Sequence, residues 1–196
     1  LEVVRQGDAV VARTQLDRPT RVVIAGHTDT VPLTDPPNLP CRVTGEGEDR
    51  LLTGRGTCDM KGGVAVQLSV AAALAEPRHD VTWIFYDNEE VEAERNGLRR
   101  LSRERPDLLA GEFAVLCEPT AARVEGGCQG TLRVRASFAG RAAHSARAWM
   151  GHNAIHDVAD LLARLQAYEP AQPWVDGLQY HEGLNAVAIH GGIAGN

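Results

Sequence analysis

No stretch of this chain approaches the roughly 20 consecutive apolar residues that a membrane-spanning helix needs, and no signal-peptide pattern opens it. Positive charge is not in excess. The formal net charge is −6, which speaks against binding nucleic acid through its phosphates. The four cysteines, Cys41, Cys58, Cys117 and Cys128, form no CxxC pair. In a chain of 196 residues they read as reduced thiols, Cys58 and Cys117 as small buried fillers. These absences set the expectation of a cytoplasmic protein with no membrane and no nucleic-acid partner. There is no GxSxG elbow, so serine hydrolysis has little support. The phosphate-binding pattern GxxxxGKS/T is missing as well. Lysine itself is nearly absent: Lys61 is the only one among 20 Lys and Arg residues.

What is present is ordinary in bulk, with 43% hydrophobic and 23% charged residues, enough for one sizeable core or two small ones. "LEVV", the turn "RQGD" and "AVVART" read as a β-hairpin. "RVVIAGH" (21–27), "VTWIFYD" (81–87) and "EFAVLCEP" (112–119) are short, nearly continuous apolar runs, the pattern of strands buried on both faces. Between them lie a proline-rich loop over 32–58, a helix of small residues over 62–75, and a short helix that Pro106 interrupts. This alternation predicts an α/β unit, a mostly parallel sheet with helices on both faces. After residue 120 the grammar changes. "CQGTLRVRASFAG" alternates like a half-exposed strand, "NAIHDVADLLARL" carries one apolar stripe, and "LNAVAIHGG" reads as a further strand. Two domains are expected, 1–122 and a smaller α+β unit, 123–196.

Ligands of α/β sheets sit beyond the carboxyl ends of the strands. Each apolar run here ends in groups that bind metals: His27-x-Asp29, Asp87-Asn88-Glu89-Glu90, and Glu118, while the loop before the first long helix supplies Asp59. Any one of these carboxylates alone reads better as a solvated loop residue. Their joint placement at successive strand ends favours a site for Zn²⁺, Mn²⁺ or Co²⁺.

The motifs "GHTDTVP", "GTCDMKGG", "DNEE" and "CEPT", in this order, resemble the di-metal amidohydrolases, a family of aminoacylases, deacetylases and carboxypeptidases. Within it, "GCQGTLRV" through "GGIAGN" most resembles the actinobacterial succinyl-diaminopimelate desuccinylases. The resemblance implies two divalent ions, zinc with cobalt as the alternative. His27 and Glu118 would hold one ion, Glu90 the other, and Asp59 would bridge them. Asp29 would accept the second ring N–H of His27, and Glu89 would act as the proton shuttle. Three ligand carboxylates against two divalent ions leave a charge that one hydroxide neutralises. His144 would reach a partner subunit's site from the lid and help bind the carbonyl oxygen, the alternative being a surface histidine. Arg147 would bind a substrate carboxylate through its planar fork, or is a surface arginine. His152 and His156 read as solvated. Lys61 either offsets nearby carboxylates or is simply exposed, while Gly62 and Gly63 allow a tight turn that holds Asp59 at the metals.

The implied reaction is removal of succinate from N-succinyl-LL-2,6-diaminopimelate by a homodimer that pairs through its lid domain. Acetylornithine deacetylation or dipeptide cleavage is the alternative within the family, and an inactive binding or assembly fragment the alternative outside it. Relatives of this kind extend further at both ends, so the chain is expected to be truncated, with the last histidine ligand of the second metal outside it.

Overall fold

Strand β1 (Glu2–Gln6) turns through Gly7 and Asp8 into β2 (Ala9–Arg13), the hairpin that the opening residues predict. The computed structural model describes residues 1–192. β3 (Arg21–His27) follows, and the proline-rich loop then carries a small hairpin of β4 (Arg42–Thr44) and β5 (Leu51–Thr53). Helix α1 (Gly63–Ala73) leads to β6 (Asp80–Tyr86), and α2 (Gly97–Glu104) ends just before a 3-10 turn at Pro106–Leu109. β7 (Phe113–Leu116) completes a five-stranded sheet in the order β1-β2-β6-β3-β7. The sheet is mixed, because β6, β3 and β7 run parallel while β1 and β2 join antiparallel at one side. This is an α/β fold.

Side chains alternate across a strand, and the two faces of this sheet differ accordingly. Val23 and Ala25 face one way, packing with Ala9, Val11, Ile84, Tyr86, Leu101 and Leu108 into the buried core. Ile24 and Gly26 belong to the other face, where α1 lies. Buried Gln67 of α1 donates from Nε2 to the carbonyls of Ile24 (2.8 Å) and Ile84 (3.2 Å), crossing from β3 to β6. The start of β6 is anchored by Asp80, which accepts from the Thr14 hydroxyl (2.6 Å) and the backbone N–H groups of Leu16 and Arg18. Led by the Thr14 bond, these hold its pKa at about 2.

Three expectations change. β7 is not buried: Phe113 and Leu116 stay exposed, because β7 is an edge strand with no neighbour on its outer side among the described residues. Residues 128–140 and 184–192 form no strand, since among the described residues neither has a ladder partner to satisfy its backbone. Cys58 is exposed, because the residue its turn presents to the interior is Met60.

The chain divides into two compact units, Leu1–Arg123 and Val124–Asn196. In the second, Asn153 caps α3 (Ala154–Gln166) by accepting from Ile155 N–H at 3.0 Å. Ala154, Val158, Leu161 and Leu165 are the half-buried side of the predicted stripe, while Ile155 and Leu162 stay exposed. β8 (Trp174–Val175) and β9 (Leu178–Gln179) form a minimal hairpin. No helix among the described residues is long and apolar enough to cross a membrane.

Candidate metal centre

Because β6, β3 and β7 are parallel, their carboxyl ends open on one edge of the sheet, and the predicted residues collect there. His27 closes β3 and is 1% exposed. Its Nε2 lies 3.0 Å from Asp59 Oδ1 and 4.0 Å from Glu118 Oε2. Asp59 arrives from the turn Thr57–Gly62, and Glu118 follows β7 by two residues. His27, Asp59 and Glu118 form one group whose ligand atoms all lie within 4.8 Å of one another. His27, Glu89 and Glu90 form a second group within the same limit. The structure thus brings four of the predicted carboxylates around the imidazole of His27.

The turn carrying Asp59 is shaped by close packing. A Cβ on Gly63 would stand 2.2 Å from the Cys117 carbonyl oxygen, so only glycine lets α1 start against the chain that carries Glu118. Met60 is fully buried beside it and accepts the His27 backbone N–H on its sulfur at 3.1 Å. Lys61 neither pairs with a carboxylate among the described residues nor hangs free. Its Nζ donates to the Thr28 carbonyl at 2.5 Å, tying the turn that bears Asp59 to the segment between His27 and Asp29.

The electrostatics are those of a negative cluster without a counter-charge. Burial, then the neighbouring carboxylates Asp59 and Glu89, raises the Glu90 pKa. Burial also raises that of Glu118, with His27 partly opposing. Tyr86, stacked edge-on to His27, is pushed well up by burial and then by the surrounding carboxylates. No lysine or arginine pairs with Asp59, Glu89, Glu90 or Glu118 among the described residues. One imidazole with several carboxylates, Glu90 and Glu118 among them partly desolvated, is a donor set that fits divalent ions.

Two expected placements differ. Asp29 Oδ1 lies 3.4 Å from His27 Nδ1, yet that nitrogen is buried without a hydrogen-bond partner. The Asp29 carboxylate instead accepts the backbone N–H groups of Glu89 (Oδ1, 3.1 Å) and Glu90 (Oδ2, 3.1 Å). Asp87, grouped with the ligands by its place at the end of β6, binds Arg100 of α2 at 2.6 Å. Burial opposes its charge, but hydrogen bonds from Arg100 and Asn88 outweigh this and keep its pKa low. Arg100 also donates to the Gln6 carbonyl at 3.3 Å. Sequence reasoning missed this arginine because nothing in its local pattern sets it apart from its neighbours.

In the second unit, His144 caps a 3-10 turn, Ser145–Met150, its Nδ1 accepting from Ala146 N–H at 3.1 Å. With Nδ1 accepting, the proton of a neutral ring belongs on Nε2. His144, Ala146, Arg147 and the exposed Trp149 line an open hollow of about 430 Å³. Trp149 was not singled out from sequence. His152 pairs with Asp157 at 2.7 Å, the histidine exposed and the aspartate half-buried.

The family model described as Peptidase family M20/M25/M40 matches residues 23–183. A Mycobacterium tuberculosis protein provisionally named succinyl-diaminopimelate desuccinylase is 52% identical over 195 residues, 100% of this chain and 53% of that protein. The succinyl-diaminopimelate desuccinylase of Corynebacterium glutamicum is 46% identical, over 100% of this chain and 52% of its own. The chain therefore spans about half the length of the curated relatives it matches. Among solved structures, a tripeptidase from Staphylococcus aureus aligns with 86% of this chain and 48% of its own, at a TM-score of 0.51 and 16% identity. That likeness shows the fold alone.

Proposed function

Because the chain belongs to peptidase family M20/M25/M40, we propose that it carries the metal-binding part of an amide hydrolase that releases succinate from N-succinyl-LL-2,6-diaminopimelate, in diaminopimelate and lysine biosynthesis. The observation that carries this reading is the convergence of His27, Asp59, Glu89, Glu90 and Glu118 at one sheet edge. Identities of 52% and 46% to the relatives named for that reaction support the choice of substrate.

His27 and Glu118 would hold one ion and Glu90 the other, with Asp59 shared. When bound, two divalent ions, zinc or cobalt, supply Lewis acidity to a water and to the substrate's amide carbonyl. The chain's own residues do the rest. Glu89 takes the proton of the attacking water and hands it to the leaving amine nitrogen. Burial of His27 keeps its ring fixed and sheltered from bulk water. Residues 1–122 act as the catalytic domain and 123–196 as a lid through which a homodimer forms. From that lid, His144 donates through Nε2 to the carbonyl oxygen in the partner's site, and Arg147 receives the succinyl carboxylate. The protein works in the cytoplasm.

A carboxypeptidase reading is favoured by one observation, a relative from Aspergillus clavatus named as a probable carboxypeptidase, 32% identical over 89% of this chain. Assaying the full-length protein against N-succinyl-diaminopimelate, N-acetylornithine and dipeptides decides between them. Succinate release at the highest kcat/KM supports the desuccinylase reading. A preference for either other substrate replaces it, and no hydrolysis with zinc or cobalt leaves the binding-fragment alternative.

A further inference from the structure

The residue in the candidate centre whose geometry departs most from its expected part is Asp29. A carboxylate that oriented His27 would point one oxygen at Nδ1 along a hydrogen bond, but Nδ1 has none. Both Asp29 oxygens are engaged elsewhere, one on each of two consecutive backbone N–H groups, Glu89 and Glu90, at 3.1 Å. The chain can present those two amides together because Asn88, just before them, takes the left-handed conformation at φ 57°. Asparagine tolerates that conformation better than most residues. Successive amides turned to one side make a concave donor pair suited to an anion, and here the anion is a side chain of the same protein.

Electrostatics sharpen the point. Glu89, Glu90, Asp59 and Glu118 already crowd this edge, so a further carboxylate is unfavourable there unless its hydrogen bonds offset the repulsion. On the opposite flank, the same turn is held by Gly97 N–H donating to the Asp87 carbonyl at 2.7 Å and by the Asp87–Arg100 pair. The Asp29 side is therefore where the two glutamates themselves are fixed.

We propose that Asp29 is the positioning residue of the Glu89–Glu90 turn: it sets the proton shuttle and the second metal's ligand through their backbone, and its effect on His27 is secondary. This rests on the metal-centre reading above, and the test separates the two. In the full-length protein, zinc titration of Glu90→Ala and Glu118→Ala identifies which binding step belongs to which ligand. Asp29→Asn, which keeps the shape but only one acceptor oxygen, should weaken the Glu90 step at least tenfold and the Glu118 step less than about threefold. It should also speed amide hydrogen exchange at Glu89 and Glu90 in the metal-free protein. A loss confined to the Glu118 step, or unchanged exchange at both amides, overturns the proposal and returns Asp29 to His27. If Asp29→Asn does not fold, exchange in the metal-free wild type decides: protected amides at Glu89 and Glu90 support the clamp, and rates like those of the exposed Glu92–Arg95 segment reject it. A wild type that takes up no zinc would sink the metal-centre reading itself.

Discussion

Gly63 at the start of α1 stands against the carbonyl of Cys117, with no room between them for a side chain. That contact joins the turn bearing Asp59 to the strand end bearing Glu118. A methyl group here must push backbone, which cannot rotate away. Gly63→Ala is therefore expected to lower stability by about 3 kcal/mol and to weaken zinc binding at the Glu118 ligand set. Urea denaturation and zinc titration check the two effects. A variant with wild-type values in both would show that the helix can shift freely.

The Arg100–Asp87 pair has one partner in α2 and the other at the end of β6. Removing the arginine leaves a carboxylate with little water around it. Arg100→Ala should destabilise by about 2 kcal/mol, less than the ~3–5 kcal/mol of a fully enclosed pair, because Arg100 keeps 27% of its side-chain surface. Asp87→Asn leaves the guanidinium unpaired instead, but Arg100 keeps 27% of its side-chain surface against 13% for Asp87, so it should cost less. Chemical denaturation of both variants tests the order.

Asp80 has a folded pKa of about 2 against an ordinary value of 3.8. A depressed carboxylate contributes stability that is complete above its unfolded pKa and disappears as pH falls through the folded one. Stability of the wild type should therefore decline between about pH 4 and pH 2. Asp80→Asn should flatten that part of the curve. An unchanged acid limb in the variant would show that the Thr14–Asp80 network does not set it.

Glu89 is proposed to move protons without holding metal. Glu89→Gln in the full-length protein should retain both ions and lose turnover by at least ~10². Its presence within 4.8 Å of the His27 and Glu90 ligand atoms makes metal content the decisive companion measurement. A lost ion would make Glu89 a ligand instead.

β3 and β6 were legible because strands paired on both sides read as continuous apolar runs, and β3 spans the expected residues Arg21–His27. The same run over 113–116 misled on burial, since hydrophobicity does not say whether a neighbour covers the strand. Residues 128–140 show the matching limit: alternation marks a segment able to pair, and pairing needs a partner. In the site, the convergence of His27, Glu89, Glu90 and Glu118 was legible because an imidazole and carboxylates follow the apolar runs, while Asp59 comes from the turn before α1 and was legible through its motif. Asp29 was assigned through the resemblance and Asp87 by its type and place, and the partners of both are set by backbone geometry. A left-handed turn at Asn88 and an arginine one element away do not appear in any local spacing. Lys61 is similar: its rarity drew notice, but its partner is a carbonyl 33 residues earlier.

The central claim is that Asp59 is shared by two ions. Its most direct test is the zinc content of dialysed full-length protein, wild type beside Asp59→Ala, by elemental analysis per chain. The account predicts two ions in the wild type and neither retained tightly in Asp59→Ala, whereas Glu90→Ala keeps one. A wild type with no bound divalent ion, or an Asp59→Ala protein that keeps both, would contradict it.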